Sequence, residues 1–165
     1  MPRINLISTN SKVSITTTLI IIIYGIIAVK IPLFLVNLIP QSAIASYFNE
    51  HIFILTAFYL VISIYFIIVG CYYYYIKIDA YIMYITSFRT VFGLLKAKNY
   101  IEVPHDMLIQ FSFFNRSYSV NKTLMLKLQD ASGKTIIKRF NLSFLSEQEE
   151  LRISKVLEKI IAQNS

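Results

Sequence analysis

Between Val13 and Ile76 the chain carries only two charged side chains, Lys30 and Glu50, and nothing else constrains its fold as tightly. Two apolar runs fill this region: VSITTTLIIIIYGIIAVKIPLFLVNLI from Val13 to Ile39, and IFILTAFYLVISIYFIIVGCYYYYI from Ile52 to Ile76. In neither do polar residues recur at the period of 2 or 3.6 that marks a strand or helix with one wet face. A helix crosses a bilayer core of ~30 Å with about 20 apolar residues, so each run is long enough with some tilt. The reading is a transmembrane hairpin, residues 13–76, with spans at 13–39 and 52–76. Within the first span, Lys30 and Pro32 either end the helix near Val29 or leave Lys30 to snorkel toward the interface.

The connector PQSAIASYFNEH has one acid and no Lys or Arg, whereas Arg3, Lys12 and Lys77 flank the outer ends of the hairpin. The positive-inside rule then puts the N- and C-termini in the cytoplasm, which gives a multi-pass protein of a bacterial inner membrane with residues 1–12 as a cytoplasmic segment. Ala43-Ile44-Ala45 imitates a signal-peptidase site, but the preceding run is too long and a second span follows, so the first span reads as an anchor. Four consecutive tyrosines, Tyr72, Tyr73, Tyr74 and Tyr75, stand just before Lys77. Rings with an apolar body and a polar tip gather at the membrane interface, and four in a row would circle a helix at one level. These tyrosines and Lys77 are the expected membrane-interface residues, with β-structure beginning just beyond them.

The hydrophobic excess (56 % hydrophobic residues, mean hydropathy +0.59 over 165 residues) is confined to that region. Residues 77–165 have the make-up of a small domain with one core. DAYIMYITSFRTVFG reads as one or two short strands and NYIEVPHDMLIQFSFF as a pair broken at Pro104. TLMLKLQ alternates, with Leu124, Leu126 and Leu128 on one face. DASG supplies turn chemistry and KTIIKRFNL returns as the partner strand. A helix over 146–162 follows, opened by a Ser146–Glu149 capping box and striped by Ile153, Val156, Leu157, Ile160 and Ile161. The expected fold class is an α+β membrane protein: a two-helix transmembrane hairpin, then a small antiparallel β-domain closed by a C-terminal amphipathic helix.

Two apolar spans followed by a β-domain ending in NKTLMLKLQDASGKTIIKRFNLSFLSEQEELRISKVLEKII resemble the bacterial two-transmembrane-helix proteins with a cytoplasmic pleckstrin-homology-like (YcxB-like) domain. The resemblance rests on the hairpin and the last strand–turn–strand–helix unit. It implies a scaffold that binds a partner protein or lipid, and no catalytic residues.

Motif chemistry is sparse. One cysteine, Cys71, excludes an internal disulfide and a cysteine-based zinc site. SGKT at Ser132–Thr135 echoes a P-loop, but Leu128 stands where the pattern needs glycine and a strand follows where a helix should. His51 and His105 fall on opposite sides of the expected membrane, so they cannot share a metal. His105-Asp106 has no nucleophile beside it. Asn115, Asn121 and Asn141 begin glycosylation triplets that a cytoplasmic placement makes accidental. No catalytic, cofactor-binding or metal-binding residues emerge, and the chain reads as no enzyme.

The formal charge is +7, with 13 basic against 8 acidic residues from Lys77 onward. Lys96, Lys98, Lys134, Lys138 and Arg139 are the expected lipid- or partner-contacting residues. Each basic residue that reaches an anionic leaflet gains up to ~1 kcal/mol. No aromatic–basic motif of an RNA-binding module is present, so nucleic acid is not an expected partner. The leading expectation is a non-enzymatic, membrane-anchored interaction or scaffold protein, with membrane lipids and a membrane or cytoplasmic protein as partners, itself included as a homo-oligomer. The alternatives are an immunity or inhibitor protein against a membrane-targeted toxin, and an accessory subunit of a membrane complex or transporter.

Overall fold

Strand alternation sorts the β-structure into an inside and an outside. In β1 (Leu6–Thr9) and β2 (Tyr72–Ile78), Leu6, Tyr74, Ile76 and Ile78 are buried. Met83 and Ile85 of β3 (Ile82–Arg89) and Ile101 of β4 (Asn99–Pro104) join them. A second set comes from Leu108 of β5 (Leu108–Asn115), Leu124, Leu126 and Leu128 of β6 (Asn121–Gln129), and Phe140 and Leu142 of β7 (Thr135–Ser143). Each of these side chains contributes about 1.5–3 kcal/mol relative to exposure.

The computed structural model describes residues 5–30, 34, 37–38, 43–90, 99–115 and 119–164. Two antiparallel sheets result, ordered β1-β2-β3-β4 and β5-β6-β7. The chain divides into a unit of residues 1–14 and 71–165 and a second unit of residues 15–70.

In the first unit, helix α3 (Glu147–Asn164) completes the core. Ser146 caps it: the Glu149 N–H donates to Ser146 Oγ at 3.2 Å, and Glu147, Glu149 and Glu150 fill the first turn, where the helix dipole favours acids. Ile153, Leu157 and Ile160 are buried, and Val156 and Ile161 pack beside them. Residues 6–9, assigned by sequence to a separate N-terminal segment, are instead the edge strand of the first sheet, with Leu6 opposite Ile78 and Thr9 opposite Tyr75.

The tyrosine run is corrected in the same way. It does not ring the end of a helix; it forms most of β2. Tyr74 enters the core, while Tyr73 packs on Phe88 at 4.8 Å and Tyr75 on Tyr84 at 6.0 Å across to β3. Cross-strand aromatic pairs of this kind stabilise a sheet, and tyrosine is a strong strand former. Four identical residues hide the alternation, because tyrosine suits both faces. Lys77 lies on the same strand, its ammonium 2.7 Å from the Asp79 carboxylate, which raises its pKa above the usual lysine value.

The second unit is helical. Helix α1 (Ser11–Gly25) runs into a π-helical segment, Ile26–Lys30, and helix α2 covers Ala43–Val69. Tyr24 meets Phe58 and Tyr59 at ring distances of 6.4 and 5.9 Å. The pairing needs Gly25, since a Cβ there would come within 2.6 Å of the Tyr59 hydroxyl. Apolar side chains nonetheless dominate the outside: Phe53 is 80 % exposed and Ile68 77 %.

The boundaries of these elements overturn the expected hairpin. The 13–39 run is an α-helix only to Gly25, then a π-segment, with Pro32 and Pro40 outside the described residues. The 52–76 run is not one helix, because α2 stops at Val69 and Tyr72 already belongs to a strand. Among the described residues, no helix is long and apolar enough to cross a membrane. The fold class is therefore corrected from a transmembrane hairpin with a small appended domain to two antiparallel sheets, with seven strands and three α-helices among the described residues. The membrane and transmembrane assignment, and the two-span inner-membrane placement with both termini cytoplasmic, fall with it.

Candidate functional site

The sequence of β7 alternates Phe140 and Leu142 inward with Ile137, Arg139 and Asn141 outward. β7 is an edge strand of its sheet and β4 is an edge strand of the other. Between them lies an open groove of about 450 Å³ lined by Asn99 and Tyr100 of β4 and by Ile137, Lys138, Arg139 and Phe140 of β7. A second hollow of about 510 Å³ shares Asn99 and Arg139 with it and continues over Phe114, Thr123, Met125 and Asn141. None of these described lining residues is acidic. Tyr100 and Ile137 present 63 % and 54 % of their surface to solvent.

What fixes the groove is a set of side-chain hydrogen bonds onto the free edge of β7. Asn99 Nδ2 donates to the Arg139 carbonyl at 3.4 Å, and Ser87 Oγ to the Asn141 carbonyl at 2.6 Å. Asn10 Nδ2 donates to the Ser143 carbonyl at 2.9 Å. These contacts tie both sheets together through strands β3 and β4 and the residue following β1. Asn10 is itself nearly inaccessible: Nδ2 also reaches the Tyr72 carbonyl at 2.8 Å, and Oδ1 accepts the Tyr74 N–H at 2.8 Å. Ser143 Oγ accepts the Tyr72 N–H at 2.7 Å and donates to Asn121 Oδ1.

A second polar cluster gathers on Glu149, which accepts from Tyr74 OH at 3.3 Å and Ser8 Oγ at 3.4 Å. Burial, opposed by the Ser8 hydrogen bond and helped by the Glu149 charge, pushes the Tyr74 phenol up to about 12. The side chains of both clusters have their partners, and their role is to close the fold.

Of the expected contact residues, Lys138 and Arg139 line the groove. Lys134 does not: it ends the hairpin turn, its N–H donating to Asp130 Oδ1 at 3.0 Å beside Gly133 at φ 81°. SGKT is thus a turn that leads into a strand. Lys96 and Lys98 lie outside the described residues. Tyr72–Tyr75 and Lys77 do not line the groove either. His51 sits in α2 with Nδ1 2.9 Å from the Tyr47 carbonyl, and His105 occupies a 3-10 turn, where burial lowers its pKa. Among the described residues, no group of three or more His, Cys, Asp or Glu side chains is placed to hold a metal. Sequence reasoning missed Asn99, Tyr100 and Ile137. Local patterning marked Lys138-Arg139 as a basic pair, but a distant strand supplies the facing wall, and a single sequence carries no signal for that.

No family model matches the chain, and no curated protein or solved structure matches it.

Proposed function

We propose that the chain is a non-enzymatic interaction protein whose β-unit takes a partner protein in the β4–β7 groove. The observation that carries this reading is the grouping of Tyr100, Ile137, Lys138 and Arg139, exposed aromatic, apolar and cationic side chains, around a concavity free of acids among its described lining residues. Tyrosine and arginine dominate binding hot spots, because each combines contact area with a directional polar end. The resemblance of the strand–turn–strand–helix segment to pleckstrin-homology-like domains supports a binding rather than a catalytic role.

A photo-crosslinking amino acid placed at Tyr100, in the full chain and in cells, tests the reading. The expected outcome is a discrete protein adduct that disappears when Lys138 and Arg139 are both changed to Glu. Adducts that are absent, or indifferent to that reversal, would sink it.

A further inference from the structure

The free edge of β7 is protected over half its length and open over the other half. The turn bond from Asp130 N–H to the Lys134 carbonyl sets the parity of the β6–β7 hairpin. In an antiparallel ladder every second residue then directs its N–H and C=O away from the partner strand. For β7 these are Thr135, Ile137, Arg139, Asn141 and Ser143, which agrees with the three carbonyls capped by Asn99, Ser87 and Asn10. Among the described residues, the outward backbone groups of Thr135 and Ile137 receive no such cap. Uncapped edge groups form a template for another strand unless something blocks them.

We propose that this open segment takes an extended, acidic stretch of a partner protein as an added strand. The inference rests on the groove being a protein-binding site and names the chemistry of what enters it. Three features converge on that occupant. Backbone pairing at Thr135 and Ile137 supplies direction and affinity that do not depend on sequence. Lys138 and Arg139, with no acid among the described lining residues, select carboxylates; Glu102, two residues beyond Tyr100 on β4, does not line the groove. Ile137 and Tyr100 offer an apolar seat for the side chains that alternate with those carboxylates. A second copy of this chain fits worse, since edge-to-edge pairing would bring both Lys138-Arg139 pairs onto adjoining strands, where like charges repel.

The test is fluorescence anisotropy of the purified full-length protein with a short labelled peptide alternating glutamate and valine. Saturable binding is expected, weakened about tenfold by the double change Lys138→Glu and Arg139→Glu, the cost of losing a charged hydrogen bond. Ile137→Pro is expected to weaken it similarly. It removes an outward N–H that takes no part in the ladder with β6, a position where an edge strand tolerates proline. The same peptide with alternate amides N-methylated is expected to bind at least tenfold more weakly, and this comparison needs no variant. Equal binding of the methylated peptide would leave charge alone and overturn strand addition. Binding to vesicles of phosphatidylglycerol and phosphatidylcholine without binding to the peptide would make the groove a headgroup site. Self-association abolished by Ile137→Pro would make the occupant a second copy. A crosslinked partner at Tyr100 with no peptide binding would sink the acidic strand and leave the interaction module standing.

Discussion

Leu126 in β6 and Ile68 in α2 are aliphatic side chains of equal size, yet the first is fully buried and the second 77 % exposed. The difference lies in what surrounds them in sequence. Leu126 alternates with Met125 and Lys127, so a strand has one face to bury and another to leave in water. Ile68 belongs to a helix that is apolar all the way round, which gives no instruction about which side should turn inward. Pattern rather than hydrophobicity directs burial. The helical unit thus exposes the kind of broad apolar surface that marks a contact region.

The largest expected effect comes from separating the two behaviours. Replacing residues 15–70 with a short glycine–serine loop should leave the β-unit folding cooperatively, because pairing of Thr9 with Tyr75 and the Asn10 bonds already bring the chain ends together. Thermal unfolding by circular dichroism reads this, and binding of an apolar-surface dye should collapse. A variant without a cooperative transition would show that the helices contribute to the fold of the sheets.

Single truncations sharpen the contrast. Leu126→Ala should cost the β-unit about 2–5 kcal/mol in urea unfolding, whereas Phe53→Ala should stay within about 0.5 kcal/mol. Equal losses would break the comparison. Asn10→Ala should cost about 2–3 kcal/mol, since the Tyr74 N–H and the Tyr72 and Ser143 carbonyls lose their partner in a dry site.

Tyr74 adds a pH signature. Its folded pKa, raised to about 12 by burial, lies above the ordinary value of 10.0. The unfolded chain therefore ionises first. Stability is complete below pH 10 and falls as pH rises toward 12, by on the order of 2 kcal/mol from this residue. Tyr74→Phe should flatten that part of the profile relative to the parent chain; an unchanged slope would assign the loss to other groups. The smallest loss expected within the β-unit belongs to Ser146→Ala, about 1 kcal/mol through loss of the α3 cap, measurable as a shifted melting temperature.

Much of the β-unit was legible. The Leu124/Leu126/Leu128 alternation, the Asp130–Gly133 turn and the Ser146 cap each depend on neighbours a few residues away, and each forms where the pattern puts it. The break at Pro104 separates β4 from β5. Residues 6–9 were illegible as a strand, because four residues carry almost no periodicity and their partner is about seventy positions away. Tyr72–Tyr75 misled because identical residues cannot show which of them face inward. Of the candidate site, only Lys138 and Arg139 could be read, since the opposing wall at Asn99 and Tyr100 is a product of tertiary folding.

The Asn10 junction also sets a timetable. Asn10 bonds Ser143 and Ser8 bonds Glu149, contacts separated by 133 and 141 positions along the chain. A ribosome releases residues 6–10 long before either partner exists, so β1 must wait, unpaired or loosely held, until the last strand and the final helix emerge. Contacts this distant in sequence are the slow ones to form, because a long loop closes before any of them is rewarded. Truncation within α3 would therefore harm β1 as much as α3 itself, leaving that strand with nothing to lock it in place.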